Sequence, residues 1–344
     1  MNPAAARRER DAAEPSAVPR GPRARLRGAA ADVGVLLASL VVTACASHPR
    51  VMTPPRRAPS WLVGAGDVRL YAAVERPGGY PRCVLYFVLG PEVTAEPAYP
   101  RLARAALARG YALVTLHARG TGYSDGLPGD IRDYDDILDD LRLGLGHTSA
   151  TAAGRPVFLF GHSVGATLAL AVAASAGREL GGLLLVNPAY KLRHGEGMGP
   201  SFKDYLAFAF NAVFRRAALT VDMNRDPGAA KFAPDRAEGE AMQRDPLVVR
   251  YFSLRMLSAQ RRVMTRAPRN AAAVVAPVLL VEGAHDALVD PAGNDVILVA
   301  ARTRDKQKLV APLGGHGSSA VETMVEPILE WIDARCRGTE ERGT

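Results

Sequence analysis

The chain has 344 residues, of which 48% are hydrophobic, and its formal net charge at pH 7 is +8. This apolar content supports a full hydrophobic core and excludes global disorder. Residues 1–44 carry a net charge of +3 of this total. The remaining residues contain no Lys/Arg patch interleaved with aromatic residues, so nucleic acid is not an expected partner. The length suits one large α/β domain with an insertion, or two small domains.

Residues 1–45 are predicted to be an export signal. Arg23, Arg25 and Arg27 precede a short apolar run at 33–42, as in a signal peptide. The run is short for a transmembrane helix, which needs about 20 residues. It ends in VTAC at 42–45, which resembles the lipobox of bacterial lipoproteins, so Cys45 is the expected lipidation site. We therefore expect an exported, membrane-tethered protein; a retained membrane anchor and an ordinary N-terminal tail are the alternatives.

Strand and helix patterns alternate after a Pro/Arg-rich linker predicted at 46–64. Strand patterns occupy residues 68–74, 83–89, 111–116, 156–160, 183–186, 277–281 and 308–311. Helix patterns occupy residues 99–109, 134–145, 166–174 and 320–335. This order predicts an α/β fold with a mainly parallel central sheet and helices on both faces. The predicted core is 65–190 and 271–337, followed by a tail at 338–344.

The alternation stops at residues 191–270, which are predicted to be a helical lid insertion over the carboxyl edge of the sheet. Residues 201–216 within it contain five of the chain's 21 aromatic residues: Phe202, Tyr205, Phe208, Phe210 and Phe214. This segment is predicted to be either a lid helix packed on the core or a hydrophobic gate that contacts acyl chains or lipid.

The sequence GHSVG at 161–165 predicts a catalytic serine. It stands between an apolar strand and a good helix pattern, which is the strand–turn–helix context of a nucleophile elbow. Glycines on both sides let the strand and the helix approach each other without side-chain clashes. Ser163 is therefore the predicted nucleophile, although the pentapeptide without its context would indicate no more than a turn.

A serine nucleophile needs a histidine base and a carboxylate that orients it. On a fold with this elbow the acid and then the histidine follow the serine. His316 is the predicted base because it lies in a glycine-rich loop between a late strand and a helix; His194 and His285 are the other downstream histidines. Asp286, in the turn after strand 277–281, is the predicted acid. Its rivals are Glu282 and Asp290, and Asp290 is better explained as a helix N-cap before Pro291.

An oxyanion hole requires two backbone N–H donors. Val164, directly after the nucleophile, is the first expected donor. The second should follow strand 83–89, where Pro91 has no N–H, so Gly90 is favoured and Leu89 is next. No metal-ligand or phosphate-binding motif is evident, so no metal and no cofactor are expected. Cys83 and Cys336 are predicted to be isolated thiols.

These residues resemble the monoacylglycerol lipase, lysophospholipase and serine aminopeptidase-like group of α/β-hydrolases. Residues 110–126 are similar to the family's GY-strand-D-x-RGHGxSdG segment, and RDPLV at 244–248 is similar to its DPLV element. Ser163, Asp286 and His316 fall on its triad positions. The chain departs from the family at residues 88–90, which lack His-Gly, at His117, which replaces Asp, and after His316, where the usual acidic follower is absent.

The resemblance implies a serine hydrolase that cleaves carboxylic esters. The predicted lid and lipid anchor favour monoacylglycerol- or lysophospholipid-like substrates with medium or long acyl chains. A peptidase or amidase on the same fold is the second hypothesis. The third is a catalytically silent lipoprotein that binds acyl ligands or a partner, which the unusual loop at 88–91 would favour.

Overall fold

The computed structural model describes residues 60–91, 99–176, 180–193, 219–222 (backbone only) and 235–336. The strands are β1 (Ser60–Gly64), β2 (Val68–Glu75), β3 (Cys83–Val88), β4 (Tyr111–Leu116), β5 (Val157–His162), β6 (Leu180–Val186), β7 (Leu219–Asp222), β8 (Tyr251–Ser253), β9 (Val278–Gly283) and β10 (Lys306–Ala311). The helices are α1 (Pro100–Ala108), α2 (Tyr134–Ala152), α3 (Val164–Ala176), α4 (Arg236–Arg244), α5 (Leu254–Ala271), α6 (Pro291–Ala300), α7 (Ser319–Glu322) and α8 (Val325–Cys336).

Eight of the described strands form one sheet in the order β1-β2-β4-β3-β5-β6-β9-β10. The pairs from β4 to β10 are parallel, whereas β1–β2 and β2–β4 are antiparallel. Strand β3 reads CVLYFV and every residue of it is buried, as expected for a strand covered on both faces. The predicted mainly parallel sheet is confirmed, and the carboxyl ends of β3, β5, β6 and β9 meet at one edge.

Helices cover both faces of this sheet, as predicted. Alternate residues of β3 point to opposite sides: Val84, Tyr86 and Val88 lie in one apolar cluster with α2, α3 and α5. Leu85 and Phe87 lie in a second cluster with α1, α7 and α8. The two clusters hold the sheet between layers of helices and so fix the edge at which the predicted functional residues lie.

Two parts of the structure differ from the predicted elements. Residues 60–64 fall in the predicted linker, but they form the edge strand β1, which pairs with β2 in antiparallel register. The single helix predicted at 320–335 is two helices, α7 and α8. Pro327 lies in the first turn of α8, where its missing N–H is tolerated. Helix α8 therefore starts as a separate helix shortly before Pro327.

The segment 191–270, predicted to be a helical lid insertion, differs from that prediction in two places. Its last helix, α5, is a core helix whose buried residues Met256, Ala259 and Val263 join the same apolar cluster as α3. Short strands β7 and β8 pair with each other in this region, where only helices and loops were expected. The aromatic segment 201–216 lies outside the described residues, as do residues 1–45 with Cys45.

Cys83 and Cys336 form a disulfide, so the prediction of two isolated thiols is wrong. They are separated by 253 positions in sequence, but β3 and the end of α8 lie side by side in the second cluster, with the two Cα atoms 6.1 Å apart. That separation lies within the normal range for a disulfide. Sequence spacing could not reveal the contact because the packing of α8 on β3 creates it.

No helix within the described ranges combines the length and the apolar character needed to cross a bilayer.

Candidate active site

Ser163 lies in a tight turn between β5 and α3, with a positive φ of 53°. A non-glycine residue in this region is uncommon and marks a turn held by its surroundings. The Ser163 N–H donates to the carbonyl of Val186 at 2.9 Å. The predicted strand–turn–helix arrangement around Ser163 is thus present.

The two glycines of the pentapeptide are required by close backbone contacts. A Cβ at Gly161 would lie 2.5 Å from the carbonyl oxygen of Gly165. A Cβ at Gly165 would lie 2.4 Å from the carbonyl oxygen of Val88. Any side chain at either position would push α3 away from β3 and β5, and with it the turn that carries Ser163.

His316 lies between Ser163 and Asp286. Its Nε2 atom is 2.9 Å from Ser163 Oγ, and its Nδ1 atom is 2.8 Å from Asp286 Oδ2. With Asp286 ionised, Nδ1–H donates to the carboxylate and Nε2 is left to accept from the serine hydroxyl. Three residues that are far apart in sequence therefore form one hydrogen-bonded chain at the carboxyl edge of the sheet.

Asp286 is held as an anion. It is 5% exposed, and its Oδ1 accepts from the N–H groups of Leu288 at 2.7 Å and Val289 at 2.8 Å. Burial raises the pKa of this carboxyl, but the hydrogen bond and charge of His316 and the two N–H donors outweigh burial and lower it below its usual value. The acid can therefore orient the imidazole and stabilise its protonated form.

The other two candidate acids, Glu282 and Asp290, form hydrogen bonds or ion pairs with other residues. Glu282 Oε2 accepts from Asn294 Nδ2 and pairs with Lys308, both at 2.9 Å. Asp290 accepts from the N–H of Ala292 and caps α6, as the sequence predicts. Of the other histidines that follow Ser163, His285 is exposed and His194 lies outside the described residues.

Gly90 lies against the N-terminal turn of α3. A Cβ at Gly90 would be 3.6 Å from the nitrogen of Gly165, and a Cβ at Gly165 would be 3.1 Å from the nitrogen of Gly90. The Val164 N–H belongs to the first turn of α3, where N–H groups have no acceptor within the helix. The two backbone segments that were expected to supply oxyanion donors thus lie side by side next to Ser163.

Asn187, which no sequence motif indicated, connects the loop that carries Asp286 to the loop that carries His316. Its Nδ2 donates to the carbonyls of Gly315 at 2.9 Å and His316 at 3.2 Å, and its Oδ1 accepts from the Gly283 N–H at 2.9 Å. Asn187 is fully buried and has a φ of 41°, which asparagine tolerates better than most residues. A polar residue directly after the apolar strand LLLV, at the carboxyl edge, was the signal for it.

His162, next to the nucleophile, also contacts the loop that carries His316. Its Nε2 lies 2.5 Å from the carbonyl oxygen of His316. Burial lowers the pKa of His162 to about 4, so the ring is neutral near pH 7 and its Nε2–H donates to that carbonyl. The loop after β10 is therefore fixed to the core by the side chains of Asn187 and His162.

The loop at 117–126 is held by contacts of its own. Arg119 donates to Asp140 of α2 through Nε at 2.8 Å and Nη2 at 2.6 Å. His117 Nδ1 accepts from the N–H of Tyr123 at 3.1 Å, and burial lowers the pKa of His117 to about 4. His117 thus acts as a neutral acceptor within the loop, at the position where the family resemblance predicts an Asp.

Residues 93–320 match the family described as serine aminopeptidase, S33 (Hydrolase_4). The chain is 26% identical over 266 residues to the monoglyceride lipase of Homo sapiens, covering 73% of this chain and 84% of that protein. It is 26% identical over 297 residues to the monoacylglycerol lipase of Mycolicibacterium smegmatis, covering 82% of this chain and 99% of that one.

Solved structures show the same fold. A soluble variant of monoglyceride lipase from Saccharomyces cerevisiae, in complex with a substrate analog, superimposes with a TM-score of 0.66 at 19% identity and covers 84% of this chain and 99% of its own. A carboxyl esterase from Bacillus coagulans superimposes with a TM-score of 0.64 at 16% identity and covers 81% of this chain and 98% of its own.

The fold and its edge site define an α/β-hydrolase, a class of enzyme. Since the family match spans most of the described core, the chain belongs to the serine aminopeptidase S33 family, and the relatives reported above are lipases and esterases.

Proposed function

We propose that the protein is a serine hydrolase that cleaves carboxylic esters through Ser163, His316 and Asp286. The observation that carries this proposal is the hydrogen-bonded chain from Ser163 Oγ through His316 to Asp286, with distances of 2.9 and 2.8 Å. A serine hydroxyl alone is a weak nucleophile, and this arrangement supplies the base that activates it.

The proposed reaction proceeds in two halves. His316 Nε2 takes the proton from Ser163 Oγ as that oxygen attacks the ester carbonyl, and the Gly90 and Val164 N–H groups stabilise the oxyanion. The protonated imidazole then gives its proton to the leaving alkoxide, which departs as an alcohol and leaves an acyl-enzyme. Water, deprotonated by the same imidazole, releases the carboxylic acid and restores Ser163.

Monoacylglycerol- or lysophospholipid-like esters are the proposed substrates. The names of the human and mycobacterial relatives support a monoacylglycerol, and the aromatic segment at 201–216 supports contact with an acyl chain. A peptidase or amidase is the second candidate because the matched family is described as a serine aminopeptidase. A silent acyl-binding lipoprotein is the alternative that retains the fold without turnover.

A fluorophosphonate probe tests whether Ser163 is activated. Wild type should be labelled, while Ser163→Ala should not be labelled and His316→Ala should react far more slowly. The matched controls are Ser175→Ala, on the exposed side of α3, and His285→Ala, at an exposed histidine; both should label like wild type. A folded wild-type protein that does not react with the probe would exclude the serine hydrolase proposal and favour the catalytically silent lipoprotein.

Substrate class is tested with purified wild type. A p-nitrophenyl ester series of rising chain length should give the highest kcat/KM at medium or long chains, and a monoacylglycerol should be hydrolysed. Aminoacyl p-nitroanilides should be turned over far more slowly. Faster cleavage of the anilides would favour the peptidase, and a preference for acetate esters would exclude the lipid substrate.

We further propose that the protein is exported and tethered to a membrane through Cys45. The VTAC sequence at 42–45 supports lipidation, and the Cys83–Cys336 disulfide supports maturation in an oxidising compartment, where such bonds persist. Intact-mass analysis of the protein from its native membrane should give a lipid adduct on Cys45 and alkylation of Cys83 and Cys336 only after reduction. An unmodified Cys45 with a retained N-terminus would exclude the lipid anchor and leave the retained membrane anchor and the ordinary tail as the alternatives.

A further inference from the structure

We propose that Asp235 and Glu238 are positioning residues for His316: they hold the loop after β10 from the side of the insertion by accepting its backbone N–H groups. This inference rests on the proposed function, because the position of His316 matters for catalysis only if His316 is the base.

Three hydrogen bonds join the two carboxylates to the residues that follow His316. Asp235 accepts from the Gly317 N–H through Oδ2 at 2.8 Å and from the Ser319 N–H through Oδ1 at 2.9 Å. Glu238 Oε2 accepts from the Ser318 N–H at 2.7 Å. Three successive amides after the imidazole are therefore bound by two side chains from the start of the α4 region.

The contacts are formed largely away from water. Asp235 is 7% exposed, and burial raises the pKa of Glu238 above its usual range, although the hydrogen bond from Ser318 opposes this. Buried carboxylates are costly unless hydrogen-bonded, and N–H donors to an ionised acceptor give shorter, stronger bonds than neutral pairs. Both oxygens of Asp235 are used, so removing this side chain would leave two N–H groups without their acceptor.

The sequence of the loop after β10 leaves room for these two carboxylates. A Cβ at Gly317 would lie 2.5 Å from Glu238 Oε2 and 2.8 Å from Asp235 Cγ, so the carboxylates can approach only because residue 317 has no side chain. The loop itself reads His316-Gly317-Ser318 and supplies no acidic residue at these positions. Here the acidic groups come from positions about 80 residues earlier, in the insertion.

The loop is consequently held from two sides. Asn187 and His162 of the core bind the carbonyls of Gly315 and His316, and Asp235 and Glu238 bind the amides that follow. Because α4 belongs to the insertion, a displacement of α4 by substrate would be transmitted to the base through these three hydrogen bonds. The insertion then contributes to the geometry of the triad as well as to any cover over the site.

The test compares Asp235→Ala and Glu238→Ala with the conservative variants Asp235→Asn and Glu238→Gln. Glu240→Gln is the matched control, because Glu240 is an exposed acid on the same helix that pairs with Arg236. Two experiments are made on each variant: steady-state kinetics with a p-nitrophenyl ester, which gives kcat and KM, and amide hydrogen exchange of a peptide spanning 317–319.

We expect kcat to fall about tenfold to a hundredfold in Asp235→Ala with KM within about twofold, since a base displaced by about 1 Å can cost that much. Asp235→Asn should lie between Asp235→Ala and wild type, because its amide keeps one acceptor oxygen. Amide hydrogen exchange at residues 317–319 should become faster in the same variants in which kcat falls. Glu240→Gln should match wild type both in its kinetics and in its hydrogen exchange.

Unchanged exchange in Asp235→Ala would overturn the proposal, because the contacts would then not protect the loop. So would faster exchange with unchanged kcat, or a rise in KM alone, which would assign Asp235 to substrate binding. If Asp235→Ala does not fold, Asp235→Asn and Glu238→Gln are judged by the same criteria. Wild type that shows no Ser163-dependent turnover would overturn the proposed function as well, and the exchange data would still report the contacts separately.

Discussion

The Nδ2 atom of Asn187 lies 2.9 Å from the carbonyl oxygen of Gly315, while its Oδ1 accepts from the Gly283 N–H. One buried amide therefore joins the end of β9, where the acid loop begins, to the loop that carries His316. The distance between Asp286 and His316 depends on both loops, so Asn187 acts on the geometry of the triad through these two loops.

Asn187→Ala is predicted to lower kcat about tenfold to a hundredfold and to cost on the order of 3 kcal/mol in the free energy of unfolding. The reason is that Gly283 N–H and two loop carbonyls lose a buried partner. Asn294→Ala removes another buried amide, which contacts Glu282 and not the His316 loop. It should destabilise the fold but leave kcat near wild type. Equal losses of kcat in both variants would contradict a specific role for Asn187.

The close contact at Gly165 gives a second prediction. In Gly165→Ala the new Cβ would meet the carbonyl oxygen of Val88 at 2.4 Å, so the elbow must move away from β3 and from Gly90. We expect kcat to fall by about a hundredfold or more, because a misplaced oxyanion donor alone costs that much. Steady-state kinetics with a p-nitrophenyl ester measures the loss.

Gly146→Ala is the control for that substitution. Gly146 lies on α2, and a Cβ there would meet no other atom within 4 Å. Alanine should stabilise the helix by roughly 0.5–1 kcal/mol and leave turnover unchanged. A Gly165→Ala enzyme with normal kcat would show that the backbone can accommodate the side chain without moving the oxyanion donors.

His117 is predicted to make the protein less stable as pH falls from about 6.5 to about 4. Burial lowers its pKa to about 4 in the folded state, against about 6.5 for an unfolded chain. Over that interval the unfolded chain binds a proton that the folded chain does not, so stability is complete above pH 6.5 and decreases as the pH drops. The loss is on the order of 3 kcal/mol.

His117→Asn should remove most of this dependence, because an amide oxygen can accept the Tyr123 N–H without titrating. Denaturant unfolding at several pH values between 4 and 7 measures the slope. His285→Asn, at an exposed position, should leave the slope as it is in wild type. An unchanged slope in His117→Asn would mean that other groups, such as His162, account for the acid sensitivity.

Two neighbouring aspartates on α2 are predicted to differ greatly in their contribution to stability. Asp140 is 1% exposed and accepts from both the side chain and the backbone N–H of Arg119, whereas the Asp139 side chain is 59% exposed and pairs with Arg142. Asp140→Ala should cost about 3 kcal/mol because it leaves Arg119 without its buried partner. Asp139→Ala should change stability by less than about 0.5 kcal/mol. Urea unfolding measures both, and similar midpoints would contradict the assigned role of Arg119–Asp140.

Local sequence patterns were sufficient for most of the sheet and for the elbow. Strand β4 has the predicted bounds, and β3, β5 and β9 begin or end within a few residues of them, because a strand buried on both faces is a short, continuous apolar run. The pentapeptide at 161–165 could be interpreted for a similar reason: close backbone contacts require glycine at fixed positions around Ser163.

The sequence by itself thus determined the fold class, the position of Ser163 and the choice of Asp286 and His316 as its candidate partners, since each depends on residues near one another in the chain. Only the tertiary structure decided that Asn187, Asp235 and Glu238 hold the His316 loop, that α5 is a core helix and that Cys83 meets Cys336. These contacts join positions that are tens to hundreds of residues apart, and they arise from how helices and loops pack at the sheet edge, which no local periodicity records.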